Sequence, residues 1–484
     1  MEVLFPVTEA SPFVKVGGLA DVAAGLPKAL RQLGHNITLV MPRYPQLEER
    51  GLLLARRLTP LRLTQGARTY EATVYDARLP SQLNAIFIDI PGLLDRPEPY
   101  GTEAADFEDN APRFAAFSRA IAELALERSP SGAPYDLVHV HDWPTALVPF
   151  YVRELAKERS VEAPKTVLTI HNAAHQGQFP KDVLPLLGID WKHFTVEGIE
   201  FYGGINFLKF GVLLADAITT VSPTYASEVL GAPHGEKLEG VLSTRKSVLH
   251  GIVNGVDYSV YNPAIDPALV ARYDAEDASN KTRCKGALQR ELGLTADVER
   301  PLMAFVGRVV PQKGVDLLIE ALPRLLRATE AQFVLVGDGS DESIEQITNA
   351  VSKSGGRAIF VRGPGDAFVH RVFAGADFVI VPSRFEPCGL VQMYAQRYGA
   401  VPLVHATGGL VDTVVDCDAK LETGTGFVFD ELTVGSLIGA IERAVAARAL
   451  PQWPMLVRRI MRLDRGWERS ARRYEQVYRQ IAKS

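Results

Sequence analysis

The chain is short of cysteine, of net charge and of long apolar runs, and each shortage removes a class of protein. Three cysteines, Cys284, Cys388 and Cys417, lie far apart in 484 residues. So odd and scattered a set excludes a disulfide framework, offers no CxxC pair for zinc, and fits a reducing, cytoplasmic compartment. Lys and Arg number 52 against 57 Asp and Glu, a net charge of −5. No overall field draws such a chain to nucleic acid or to an anionic membrane, and any basic site must be local. No window reaches the roughly 18 uninterrupted apolar residues of a membrane span. The opening MEVLFPVTEASPF has Glu2 and Glu9 and no basic segment ahead of its apolar run, so it reads as a first strand rather than a secretory leader.

What is present is an ordinary globular composition, 47% apolar and 23% charged, at a length that exceeds a single hydrophobic core. Strand 3–7, a loop, an amphipathic helix through Leu19, Val22, Ala23, Leu26, Leu30 and Leu33, and strand 37–41 form a βαβ unit, with Gly34 just past the last apolar residue. Short β-branched runs recur at 137–140, 166–170, 217–221, 303–306, 333–336, 358–361, 378–381 and 401–404. Continuous apolar runs between helical patterns suit parallel strands covered on both faces. Asn, Asp and Pro gather at 252–269, which places a boundary near residue 254. The expectation is an α/β protein of two Rossmann-like domains, 1–253 and 254–455, with ligands beyond the carboxyl ends of the strands in the cleft between them.

From Arg448 onward ten Lys or Arg face three acidic residues. Leu456, Ile460, Leu463, Trp467, Ala471, Tyr474, Tyr478 and Ile481 step by three or four, so this stretch reads as one helix over about 456–484 with the arginines on its wet side, ahead of a polyanion-binding arm.

Several clusters carry candidate chemistry. KVGGLAD, Lys15 to Asp21, sets Gly17 and Gly18 between a strand and a helix, where amides can meet an anion; a plain tight turn is the other reading. GRVVPQKG places Arg308 and Lys313 on one loop after a strand, either a phosphate clamp or two solvated cations. In SRFEPCGLVQ, Glu386 stands just ahead of a helix opening near Leu390 on a turn expected to be exposed, with Gly389 permitting close approach, and Cys388 reads as an inert buried thiol. TGGLVD repeats the device with Thr407, Gly408 and Gly409. His139, His141 and Asp142 end one strand, and His171 and Asn172 the next; HxH spacing admits a metal, but satisfied or substrate-facing imidazoles fit better because no complete ligand set is present. The DxD at Asp416 and Asp418 is discounted as a metal motif.

KVGGLADV, DNAPRFAAFSRA, HDWPTALVP, TIHNAAHQGQF, FYGGINFLKFGVLLADAITTVSPTYA, VNGVDYSVYNPA, VGRVVPQKG, SRFEPCGL and TGGLVDTV occur in that order. Together they resemble the bacterial glycogen and plastid starch synthases, retaining glucosyltransferases of the GT-B fold. The resemblance implies transfer of glucose from ADP-glucose, or from UDP-glucose as the rival donor, to the non-reducing 4-OH of an α-1,4-glucan. It needs no metal or cofactor, and neither nucleic acid nor membrane is a partner. Alternatives within reach are a small acceptor and a catalytically silent glucan-binding protein. By the same resemblance Lys15 and Gly18 contact donor phosphate, Arg308 and Lys313 neutralise the leaving diphosphate, and Glu386 holds the transferred glucose. The amides after Gly389 meet the β-phosphate, and Cys388, Leu390, Thr407, Gly408 and Gly409 are further substrate-binding residues. His171, with Asn172 beside it, lies at the glucose 6-OH and the anomeric carbon, Asp142 steadies developing positive charge or sugar hydroxyls, and Asp21 belongs to the sugar-side loop. The last helix is implied to pack on the N-terminal domain. The chain departs from the family pattern at Gly363-Pro364, where Gly-Tyr is usual, at Val391 in place of Thr, and at Ala20 in place of Gly.

Overall fold

The computed structural model describes residues 1–49, 51–102 and 105–483. It divides into two compact units: Met1–Gly255 together with the chain from Trp467, and Val256–Gly466.

In the first unit the sheet runs, in spatial order, Leu249–Gly251, Ala217–Thr220, Lys165–Ile170, Leu137–His141, Glu2–Pro6, Asn36–Pro42, Asn84–Asp89 and Arg68–Arg78, with Ala55–Arg56 and Leu61–Gln65 pairing on the last. The first seven are parallel, and Arg68–Arg78 runs antiparallel to its neighbours. Strand order reverses between Glu2–Pro6 and Leu137–His141, so the loops after these two strands part and leave a crevice at their carboxyl ends. The helix Gly18–Gln32 buries Leu19, Val22, Ala23, Leu26 and Leu30, the stripe expected from spacing.

The second unit holds six parallel strands in the order Ala358–Arg362, Gln332–Gly337, Leu302–Val306, Phe378–Val381, Val401–His405 and Phe427–Phe429. Its switch point lies between Leu302–Val306 and Phe378–Val381, the two strands that deliver Arg308 and Glu386.

The single C-terminal helix expected over 456–484 is two. Trp453–Met461 puts Leu456 and Ile460 into the core of the second unit. Trp467–Ile481 puts Trp467, Ala471, Tyr474, Tyr478 and Ile481 into the core of the first, beside Val3, Phe5, Val22 and Leu26. The break is fixed by hydrogen bonds that a periodicity count ignores. The Gly466 N–H donates to Asp464 Oδ1 at 3.0 Å, the Val256 N–H to the Arg465 carbonyl at 2.7 Å, and the Arg465 N–H to the Tyr258 hydroxyl at 2.6 Å. Ser484 lies outside the described residues. No helix among the described residues is long and apolar enough to cross a membrane.

Candidate active site

In the first unit the residues after strand Glu2–Pro6 and those after Leu137–His141 and Lys165–Ile170 carry the candidate chemistry. Lys15 Nζ lies 3.0 Å from Asp21 Oδ1, so the cation is steadied from the first turn of the helix it precedes. Gly18 is exposed at the helix start. The expectation for Gly17 needs correction: its N–H does not await an anion, because it donates to the buried carboxylate of Glu9 at 2.8 Å, as the Val16 N–H does at 2.7 Å. Sequence reasoning noted Glu9 only for its charge.

Asp142 follows the strand directly and holds the left-handed conformation, φ +53°, a strained state for a residue with a side chain and one that a functional site often stores. Its Oδ1 accepts the His171 N–H at 2.7 Å. Burial pushes its carboxyl up to about 7, against the pull of the N–H groups of His171 and Asn172. His171 is driven the other way, down to about 3 by burial, so at neutral pH it is a neutral imidazole. Its Nε2 lies 3.0 Å from Nδ1 of the fully buried His141. Asn172 Oδ1 accepts the Ala174 N–H at 3.0 Å and shapes the loop.

His139, one half of the HxH pair, is engaged elsewhere: Nδ1 meets the Tyr478 hydroxyl at 2.6 Å and Nε2 the Thr169 hydroxyl at 2.6 Å. No group of three or more His, Cys, Asp or Glu among the described residues is spaced to hold a metal. A residue the sequence did not single out is Asn254, buried with its Oδ1 unpartnered among the described residues.

In the second unit Arg308 stands exposed just past strand Leu302–Val306, with no side-chain partner among the described residues. Lys313 does not stand free: its Nζ lies 2.6 Å from Glu386 Oε2, which also accepts the Ser383 hydroxyl at 3.0 Å. The structure therefore joins two residues that sequence reasoning had put on separate partners. Two further contacts lock their loops together. Arg384 forks onto Asp316 at 2.8 and 2.6 Å, and its N–H donates to the Gln312 carbonyl at 2.8 Å. The turn expected to be exposed is mostly buried, Pro382, Ser383, Glu386, Pro387 and Cys388 included; the docked 311–316 loop covers it.

Gly389 takes φ +71°, and Gln392 closes beneath it, donating to the Gly389 and Cys388 carbonyls at 2.6 and 3.1 Å. Leu390 precedes helix Val391–Arg397, so the departure at Val391 falls on its first residue. Thr407 is buried with its hydroxyl unpartnered among the described residues, at the start of helix Gly408–Thr413. Gly409 packs on Cys388 so closely that a Cβ would come within 2.2 Å of the Cys388 carbonyl, and its N–H donates to the Glu386 carbonyl at 3.0 Å. The DxD residues are structural: Asp416 pairs with Arg443 at 2.6 Å, and Asp418 accepts from the turn at Lys420.

The starch synthase catalytic domain family matches residues 2–244, and the group 1 glycosyl transferases match residues 293–452. With the two parallel-sheet units, these matches define the protein as an enzyme of the glycosyltransferase class with the GT-B fold. The chain is 43% identical to the glycogen synthase of Anaeromyxobacter sp. (strain Fw109-5) over 100% of both chains. It is 40% identical to glycogen synthase 2 of Geobacter sulfurreducens over 100% of this chain and 99% of that protein. Among solved structures, the catalytic domain of starch synthase IV from Arabidopsis thaliana, bound to ADP and acarbose, matches with a TM-score of 0.91 at 32% identity, covering 100% of this chain and 99% of that one. The chain belongs to the glycogen and starch synthase family.

Proposed function

We propose that the protein transfers glucose from ADP-glucose to the non-reducing 4-OH of an α-1,4-glucan, with retention of configuration and release of ADP. The observation that carries this reading is the pairing of Lys313 with Glu386 at the same sheet switch point as Arg308, which has no side-chain partner among the described residues, a place where a diphosphate and a hydroxylated sugar can be held side by side. The ADP bound by the Arabidopsis relative supports an adenine nucleotide.

In this reading Arg308 and Lys313 take the charge that builds on the leaving diphosphate, and Lys15 with the Gly18 amide add to it. These are fixed positive groups aimed at charge that develops in the transition state. The amides around Gly389 and Leu390, with Thr407 and Gly408, meet the β-phosphate, Gly409 holds their turn by donating to the Glu386 carbonyl, and Glu386 accepts from glucose hydroxyls. The bond between the anomeric carbon and the phosphate oxygen breaks as the acceptor oxygen forms its bond on the same face, and the acceptor proton passes to the departing phosphate oxygen. Neutral His171 holds the 6-OH, with Asn172 beside it, and Asp142 stabilises positive charge at the sugar. The reaction then depends on positioning and electrostatics more than on a protein nucleophile. The scattered cysteines, all three buried and none in a disulfide among the described residues, favour the cytoplasm as its compartment.

A donor panel against glycogen tests the reading. ADP-glucose is expected to exceed UDP-glucose in kcat/KM, with product α-1,4-linked; a higher kcat/KM with UDP-glucose reassigns the donor, and label passing only into a small soluble product reassigns the acceptor.

A further inference from the structure

Glu9 has no part in the reading above, yet it is only 4% exposed. Burial raises its pKa against the pull of its hydrogen-bond donors. A carboxylate in such a place must be bonded to be tolerated. Oε2 accepts the N–H groups of Val16 and Gly17 at 2.7 and 2.8 Å, and Oε1 the Tyr100 hydroxyl at 3.1 Å. Tyr100 is fixed in turn by the Thr8 hydroxyl at 2.6 Å. Gly17 is the residue just before helix Gly18–Gln32 and has no side chain; Glu9, eight residues earlier, binds the amides of Val16 and Gly17, ahead of the helix's own first-turn N–H groups. Two amides of the loop are thereby turned inward onto a fixed charge, and the exposed Lys15 and Gly18 are left on the outer side of the loop.

We propose that Glu9 is a positioning residue for the sugar-nucleotide donor: by holding Val16 and Gly17 it sets Lys15 and the Gly18 amide where the donor diphosphate meets them. The proposal rests on the donor reading given above. It also ties donor affinity to pH. The groups whose charges reach Glu9 are Asp21 and Asp142, which favour its protonation, and Tyr44 and Tyr100, kept neutral by burial; Lys15 is engaged by Asp21. Protonation weakens the two charge-assisted bonds and loosens the loop, so donor KM rises as the pH falls.

The test compares Glu9→Gln, which keeps an oxygen for the two amides, and Glu9→Ala, which removes it, with the unaltered full chain and with Arg308→Ala. Donor KM, glucan KM, kcat, melting temperature and ADP binding are measured between about pH 5.5 and 8. Glu9→Ala is expected to raise donor KM and weaken ADP binding by about tenfold, with glucan KM unchanged. Glu9→Gln, neutral like the protonated acid, is expected to show the raised donor KM already at neutral pH and no further rise on the acid side. A lower melting temperature with unchanged donor KM, or an equal rise in the KM of both substrates, overturns the proposal. If Glu9→Ala does not fold, Glu9→Gln decides alone: a wild-type rise in donor KM on the acid side overturns it. Near-normal kcat in Arg308→Ala, by contrast, removes the donor reading itself.

Discussion

Asp142 accepts the backbone N–H of His171 at 2.7 Å across two neighbouring parallel strands. One carboxylate thus fixes the position of an imidazole while its own charge stays buried. The folded protein holds the Asp142 proton up to about 7, against 3.8 for the free group. Stability therefore falls as pH rises through that window and is lowest above it, because the unfolded chain has already released the proton. Asp142→Asn keeps an oxygen for the His171 N–H, tolerates the left-handed backbone, and removes the charge. At pH 8 the variant is expected to melt higher than wild type while kcat drops about 100-fold. Thermal melts at pH 5 and 8 check the sign, and a lower melting point at pH 8 would rule the account out.

The exposed Arg308 and the paired Lys313 give different signatures on removal. Arg308→Ala strips a cation that has no partner among the described residues, so folding is expected to be unaffected and kcat to fall by roughly 100-fold. Lys313→Ala costs a similar factor in kcat and also leaves the buried Glu386 without its cation, so its melting temperature drops as well. Steady-state kinetics alongside thermal melts separates the two, and near-normal turnover in either variant refutes the clamp.

Gly314 holds the loop of Lys313 against the loop of Glu386. It takes φ +67°, and a Cβ there would lie 1.9 Å from the Pro382 carbonyl oxygen. Gly314→Ala must push the two loops apart as well as strain its own backbone. Activity is expected to collapse although the substituted residue bears no functional group; a variant with wild-type kcat/KM would show that the contact is not needed.

Much of this was legible in the sequence, for identifiable reasons. Strands buried on both faces announce themselves as apolar runs, and Phe378–Val381 is found as expected. Arg68–Arg78, one face half-wet, alternates and carries charge, so a search for apolar runs passes it by. The site residues were visible as types: Asp142 and His171 directly follow strands, and Arg308, Lys313 and Glu386 lie on the loops that follow them. Their partners were not, because the Lys313 to Glu386 contact spans 73 positions and the bond from Glu9 to Gly17 bridges a turn whose geometry no spacing rule encodes. The apolar stripe from Leu456 to Ile481 misled for the opposite reason: two helices of different units happen to share one phase across Gly466.

Asp377 anchors the second unit from within. Its Oδ2 accepts Lys285 Nζ at 2.6 Å and the Leu302 N–H at 2.8 Å, and Arg448 Nε lies 3.2 Å from Oδ1. Lys285 is buried, and burial lowers its pKa against the pull of Asp377. Asp377→Ala leaves that ammonium without its counter-charge, a change that costs about 3 to 5 kcal/mol when the pair is buried. Thermal unfolding is expected to show the loss, whereas a melting point within a degree or so of wild type would mean that the carbonyls of Val298 and Arg300, which also accept from Lys285 at 2.6 Å, suffice alone.

The C-terminal helix reaches the site through the Tyr478 hydroxyl and the Tyr474 ring, 5.4 Å from that of His139. Tyr478 meets His139 Nδ1 at 2.6 Å, His139 Nε2 meets the Thr169 hydroxyl at 2.6 Å, and Thr169 meets Thr219 at 2.6 Å, a buried row across neighbouring strands. The His139 ring lies 4.3 Å from that of His141, which contacts His171. Burial keeps His139 neutral, so one ring nitrogen donates and the other accepts, and Tyr478 with Thr169 sets which is which. Tyr478→Phe fills the same space but leaves one buried nitrogen unpaired, at a cost of about 1 to 3 kcal/mol. Its kcat is expected to fall severalfold with donor and glucan KM unchanged, since the His139, His141 and His171 rings lose their register and neither binding surface is touched. A stability loss with kcat intact would confine the helix to a packing role.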